Sequence, residues 1–112
     1  MANMTNQIVT KDFFEKTISI IAQNTSFSYS TIALKRITNE LSKKFKFLED
    51  IHIKGRSVEV DKTINSTSKK ELRNFFRKVI DMMGSNYLKV LLAQKLNPKS
   101  LMYLENIGLR LR

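Results

Sequence analysis

The side chains with chemical potential in this sequence are mostly cations, and they recur in a helical rhythm. Lys35, Asn39, Lys43 and Lys46 follow one another at steps of four, four and three residues, with Arg36 beside the first. At about 100° per residue these four fall on one arc of a helix, and Arg36 sits at its edge. Leu34, Ile37, Leu41 and Phe45 occupy the opposite arc, and Glu40 is the stretch's single acid. A cationic helical face of this kind neutralises phosphates, while Arg and Asn are the types that hydrogen-bond guanine and adenine edges in a major groove. Two further groups of cations follow: Lys54 and Arg56 flank Gly55, and Lys70, Arg73 and Arg77 repeat at helical spacing.

Other chemistries have less to work with. There is no Cys, which excludes disulfides, thiolate metal ligands and cysteine nucleophiles, and the one His excludes a multi-histidine site within a chain. Asp50, His52, Glu59 and Asp61 are the one cluster of types able to ligate a divalent cation. A His52–Glu59 cross-strand pair explains them more simply, so no metal is expected. The sequence has no Gly-rich phosphate loop, no nucleophile elbow and no acid–base pair at a catalytic spacing, so neither a cofactor nor an enzymatic activity is expected. The 112 residues include 20 Lys and Arg against 10 Asp and Glu, a formal net charge of +10. That excess favours nucleic acid or another acidic partner. A composition rich in Lys, Asn and Ile produces the same excess without any ligand, so the placement of the charges matters more than their sum.

These side chains must be positioned by a chain whose hydrophobic share of 42% supports one packed domain. Residues 1–8 are polar and predict a flexible N-terminal tail. A first helix is predicted over residues 11–23, with Thr10 as N-cap and Phe14, Ile18 and Ile21 on its apolar stripe. The basic helix follows over residues 29–46. Residues 50–62 alternate with period two and predict a hairpin with a Gly55-Arg56 turn. That turn sets Ile53 opposite Val58, Ile51 opposite Val60 and His52 opposite Glu59. Ser68 and Glu71 form a capping box that opens a third helix, with Leu72, Phe75, Phe76, Val79, Ile80 and Met83 inside and Gly84 as its stop. A fourth helix over residues 85–96 is apolar around a wide arc. Asn97-Pro98 opens a fifth, which Gly108 ends.

The expected fold is mainly α with one β-hairpin, in the order α-α-β-β-α-α-α, a small single domain over residues 9–112. Its N-terminal half is winged-helix-like, with the second helix in the major groove and the hairpin tip reaching an adjacent backbone or minor groove. It departs from that motif in having one helix, not two, before the basic one. The expected function is that of a small, basic, non-enzymatic nucleic-acid-binding regulator. Lys35, Lys43, Lys46, Lys54, Arg56, Lys70, Arg73 and Arg77 would hold the backbone, and Arg36 and Asn39 would read bases. The alternative is a regulatory or adaptor module that binds a protein partner or small ligand through its helical face. The apolar fourth helix predicts a homodimer through the fourth and fifth helices. No signal peptide is visible, and the longest apolar runs, such as Val90-Leu91-Leu92-Ala93, fall far short of a membrane span. A cytoplasmic protein with no membrane partner is expected.

Overall fold

The computed structural model describes residues 4–83 and 86–111. Along it run α1 (Asn6–Ala22), α2 (Phe27–Leu41), a 3-10 turn (Lys46–Asp50), β1 (Ile51–Lys54), β2 (Ser57–Val60), a second 3-10 turn (Lys62–Ser66), α3 (Lys69–Met82), α4 (Asn86–Lys95) and α5 (Pro98–Asn106). The order is the predicted one, with the two 3-10 turns added. The expected stop at Gly84 and helix start at Ser85 lie outside the described residues.

α1 is the axis of the fold. Val9, Phe13, Phe14 and Ile18 are fully buried because α2, β2, α4 and α5 all pack on this helix. It begins five residues earlier than predicted, so Asn6, Gln7 and Ile8, expected in the tail, form its first turn. Thr5 is the N-cap, its hydroxyl accepting from the Ile8 N–H at 3.2 Å, and Asn65 Oδ1 accepts from the Gln7 N–H at 2.9 Å. Thr10, the expected cap, sits inside the helix, its buried hydroxyl without a hydrogen-bond partner among the described residues. What fixes the earlier start is Asn6. Its Nδ2 donates to the Ile64 and Thr67 carbonyls, each at 3.0 Å, and its Oδ1 accepts from the Tyr103 hydroxyl. One buried amide thereby ties the start of α1 to the second 3-10 turn and to α5.

α2 starts at Phe27 behind Ser26, whose hydroxyl accepts from the Tyr29 N–H at 3.1 Å. It ends at Leu41, not near Lys46 as predicted. Continuing the helix would bury Phe45 and Leu48 beside Leu41, but would swing Phe47 about 120° away from that side. Instead the chain is extended at Phe45 and turns through the 3-10 segment, so that Phe45, Phe47 and Leu48 are all buried. Phe75 of α3 receives the two rings, its centroid 5.6 Å from Phe45 and 5.2 Å from Phe47. Phe13 and Phe76 stack at 4.4 Å and join α1 to α3.

The hairpin has the predicted register, with Ile51 opposite Val60, His52 opposite Glu59 and Ile53 opposite Val58. Gly55 has φ +59, which a glycine adopts without steric cost. His52 and Glu59 are cross-strand neighbours as expected, but each has its ion-pair partner elsewhere: Lys54 Nζ lies 3.0 Å from Glu59 Oε2, and His52 Nε2 lies 3.6 Å from Asp61 Oδ2. A lone two-stranded sheet is marginal in water. Here the outer edge of β2 is closed by side chains of α1. Lys11 Nζ and Gln7 Nε2 donate to the Val58 and Val60 carbonyls, each at 2.8 Å, and Glu15 Oε2 accepts from the Val58 N–H at 3.2 Å. Gln7, Lys11 and Glu15 are spaced four apart and so form one ridge of the helix.

α3 opens as predicted at Ser68, whose hydroxyl accepts from the Glu71 N–H at 3.2 Å. Leu72, Phe75, Phe76 and Val79 are fully buried. α5 opens at Asn97, whose side chain accepts from the Lys99 N–H at 2.9 Å, with Pro98 in its first turn. Gly108 closes it at φ +99, with the Leu109 N–H returning to the Leu104 carbonyl at 2.8 Å and the Gly108 N–H to Glu105 at 3.0 Å. That pair of bonds is a Schellman motif.

Candidate functional site

The basic arc of α2 stays open in the fold. α2 buries Ser30, Leu34 and Leu41 and leaves Lys35, Arg36 and Asn39 exposed, with Lys43 and Lys46 exposed just beyond its end. Among the described residues no ion pair engages Lys35, Arg36, Lys43 or Lys46. β1 runs alongside, and the two elements enclose a concavity of about 410 Å³ lined by Lys35, Thr38, Asn39, Ile51, His52, Ile53 and Lys54. Three predicted contact residues from two elements, Lys35, Asn39 and Lys54, are therefore brought together. Thr38 was not singled out by the sequence pattern, and only its step of three from Lys35 marks it.

The hairpin tip lies beside the start of α2. Arg56 lies over the Phe27 ring, its Cζ 4.2 Å from the centroid. The guanidinium thus joins the hairpin tip to the first turn of α2. An exposed cation–π contact is worth only about 0.5–1 kcal/mol, so a phosphate can compete for the guanidinium. Lys54 and Glu59 are both well exposed, and such a surface pair contributes about 0–1 kcal/mol.

The second basic stripe divides. Lys70 is exposed in the first turn of α3. Arg73 is half-buried: its side chain lies against Gly108, and its Nε is buried without a hydrogen-bond partner among the described residues. Arg77 Nη2 donates to the Gly108 carbonyl at 3.3 Å. Cations suit that position, because a helix C-terminus carries partial negative charge. Arg77 also borders a concavity of about 320 Å³ with Lys44, Phe45, Asn74, Lys78 and Asp81. The stretch following α2 and the basic stripe of α3 therefore adjoin at Lys44, a residue the sequence pattern did not single out. Among the described residues, no three His, Asp or Glu side chains converge as metal ligands, and no helix is long and apolar enough to cross a membrane.

α4 turns Leu88 and Leu92 into the core and leaves Tyr87 and Val90 more than half exposed. Met102 of α5 is also exposed. Comparison with known proteins brings no match: no family model, no characterised protein and no solved structure matches this chain.

Proposed function

We propose that this protein is a non-enzymatic regulator that binds nucleic acid in the cytoplasm, with α2 and the hairpin as its contact surface. The observation that carries this reading is the open groove between α2 and β1, in which Lys35, Asn39 and Lys54 converge beside the exposed Arg36 and Lys43. In this reading the lysines hold phosphates, Arg36 and Asn39 face the bases, and Arg56, Lys46, Lys70 and Arg77 extend the cationic surface. Arg73 contributes field more than contact, since its side chain is packed on Gly108. A homodimer through α4 and α5 fits the exposed Tyr87, Val90 and Met102.

The test is a titration of labelled duplexes at several salt concentrations, with wild type and a Lys35→Glu plus Lys43→Glu variant. Both lysines are exposed, so the variant keeps the fold. Phosphate-driven binding falls steeply with salt, with a log–log slope of about −0.9 per contacted phosphate on duplex DNA. The variant should bind weakly, and its slope should flatten by about 1.8 for the two lost contacts. If wild type binds no nucleic acid at low salt, the reading fails and gives way to the alternative of a module that binds a protein partner or small ligand through its helical face.

A further inference from the structure

The outer face of α2 is not purely cationic. Tyr29 and Ile32 are each 58% exposed. With Arg36 and Asn39 they recur at steps of three, four and three, which places all four side chains within an arc of about 80° on the helix. Glu40 borders this arc as its one acid. A surface that only neutralised phosphates would gain nothing from a branched aliphatic and an aromatic ring among its cations. The major groove of B-DNA offers a partner for both kinds of side chain: base edges with donors and acceptors, and the thymine methyl as the apolar group of its floor. α2, 15 residues long, spans about 22 Å and is about 10–12 Å across with its side chains. The major groove is about 12 Å wide.

We infer that Tyr29 and Ile32 are specificity residues that contact thymine methyls, so that the ligand of the α2 face is double-stranded DNA with thymines at defined positions. The inference rests on the nucleic-acid reading above and narrows it. It also separates DNA from RNA. Uracil lacks the methyl, and the A-form major groove is too deep and narrow to be read by side chains.

The test starts from a preferred duplex obtained by rounds of selection from a random DNA pool. That duplex is then remade with deoxyuridine in place of thymidine, one position at a time. Wild type should lose about fourfold in affinity at one or more positions, the factor expected for one buried methylene-sized group. Ile32→Ser or Tyr29→Ser should abolish that loss while leaving the salt dependence unchanged. Ile and Ser have similar helix propensities, and both positions are exposed, so an effect of Ile32→Ser is not a loss of helix. Equal affinity for every deoxyuridine duplex, or a loss that persists in both serine variants, overturns the inference while leaving phosphate binding intact. A selection that enriches no sequence does the same. An RNA duplex bound as tightly as the DNA also overturns it. If no duplex binds at low salt, the underlying reading falls as well, which distinguishes the two failures.

Discussion

Asn6→Ala removes the amide that ties the start of α1 to the second 3-10 turn and to α5. Composition places residue 6 in a polar tail, where truncation to Ala costs nothing. The structure makes it a buried amide with three hydrogen bonds, to the Ile64 and Thr67 carbonyls and from the Tyr103 hydroxyl. At about 1 kcal/mol net each, their loss amounts to about 3 kcal/mol. The Ile64 carbonyl keeps the Thr67 N–H at 3.0 Å, so it is not orphaned. The expected cost is therefore about 2–3 kcal/mol, or on the order of 10 °C in Tm for a domain of this size. Urea unfolding followed by circular dichroism measures it as a lower midpoint at unchanged slope. Tyr103→Phe removes one of the three bonds alone and should cost about 1 kcal/mol. In the Asn6→Ala background that cost should largely vanish, because both changes delete the same bond. An Asn6→Ala variant within about 0.5 kcal/mol of wild type, with Tyr103→Phe fully additive, would refute the reasoning and return residues 6–8 to the tail.

Three further outcomes test backbone and titration. The Cβ of Gly55→Ala would meet no atom of the described residues within 4 Å, so the substitution should cost about 1 kcal/mol for its left-handed backbone alone. Gly108→Ala should cost more, because its Cβ would stand 3.0 Å from Arg73 Cδ, and adding Arg73→Ala should recover part of the loss in denaturation midpoint. Burial pushes the Tyr103 phenol above the ordinary tyrosine value of 10.0. Above that value the unfolded chain releases this proton while the folded chain holds it, so Tyr103 makes stability fall as pH rises. The fall should show in unfolding midpoints measured between about pH 9 and 11, and Tyr103→Phe should make it shallower.

The features legible in the sequence are those that one local pattern decides. The hairpin register follows from period two and a glycine at the turn, since a slip of one residue in β2 would bury Ser57 and Glu59 in place of Val58 and Val60. α3 follows from a one-sided stripe behind Ser68. Features decided by distant partners were not legible. Nothing near Asn6 in sequence reveals the carbonyl of Ile64, 58 positions away. Phe45 fits the stripe of α2, and only its company with Phe47 and Leu48 shows that the helix must stop first. The cationic arc of α2 could be read from spacing because exposure there needs no partner. The engagement of Arg77 with Gly108 and of Arg56 with Phe27 could not, because each joins elements that the sequence separates.

The same distinction explains how so small a hairpin can form one wall of a groove. Cross-strand pairs alone leave a two-stranded ribbon marginal, and its outer backbone groups would invite pairing with another chain. The ridge of Gln7, Lys11 and Glu15 occupies those groups on β2 and so takes the place of a third strand. Because α2 packs on the same α1, the position of β1 relative to α2 is set through one rigid helix as well as through the buried 3-10 segment that joins them. The spacing of Lys35, Asn39 and Lys54 across the groove thus depends on α1, although its own described residues take no part in lining it.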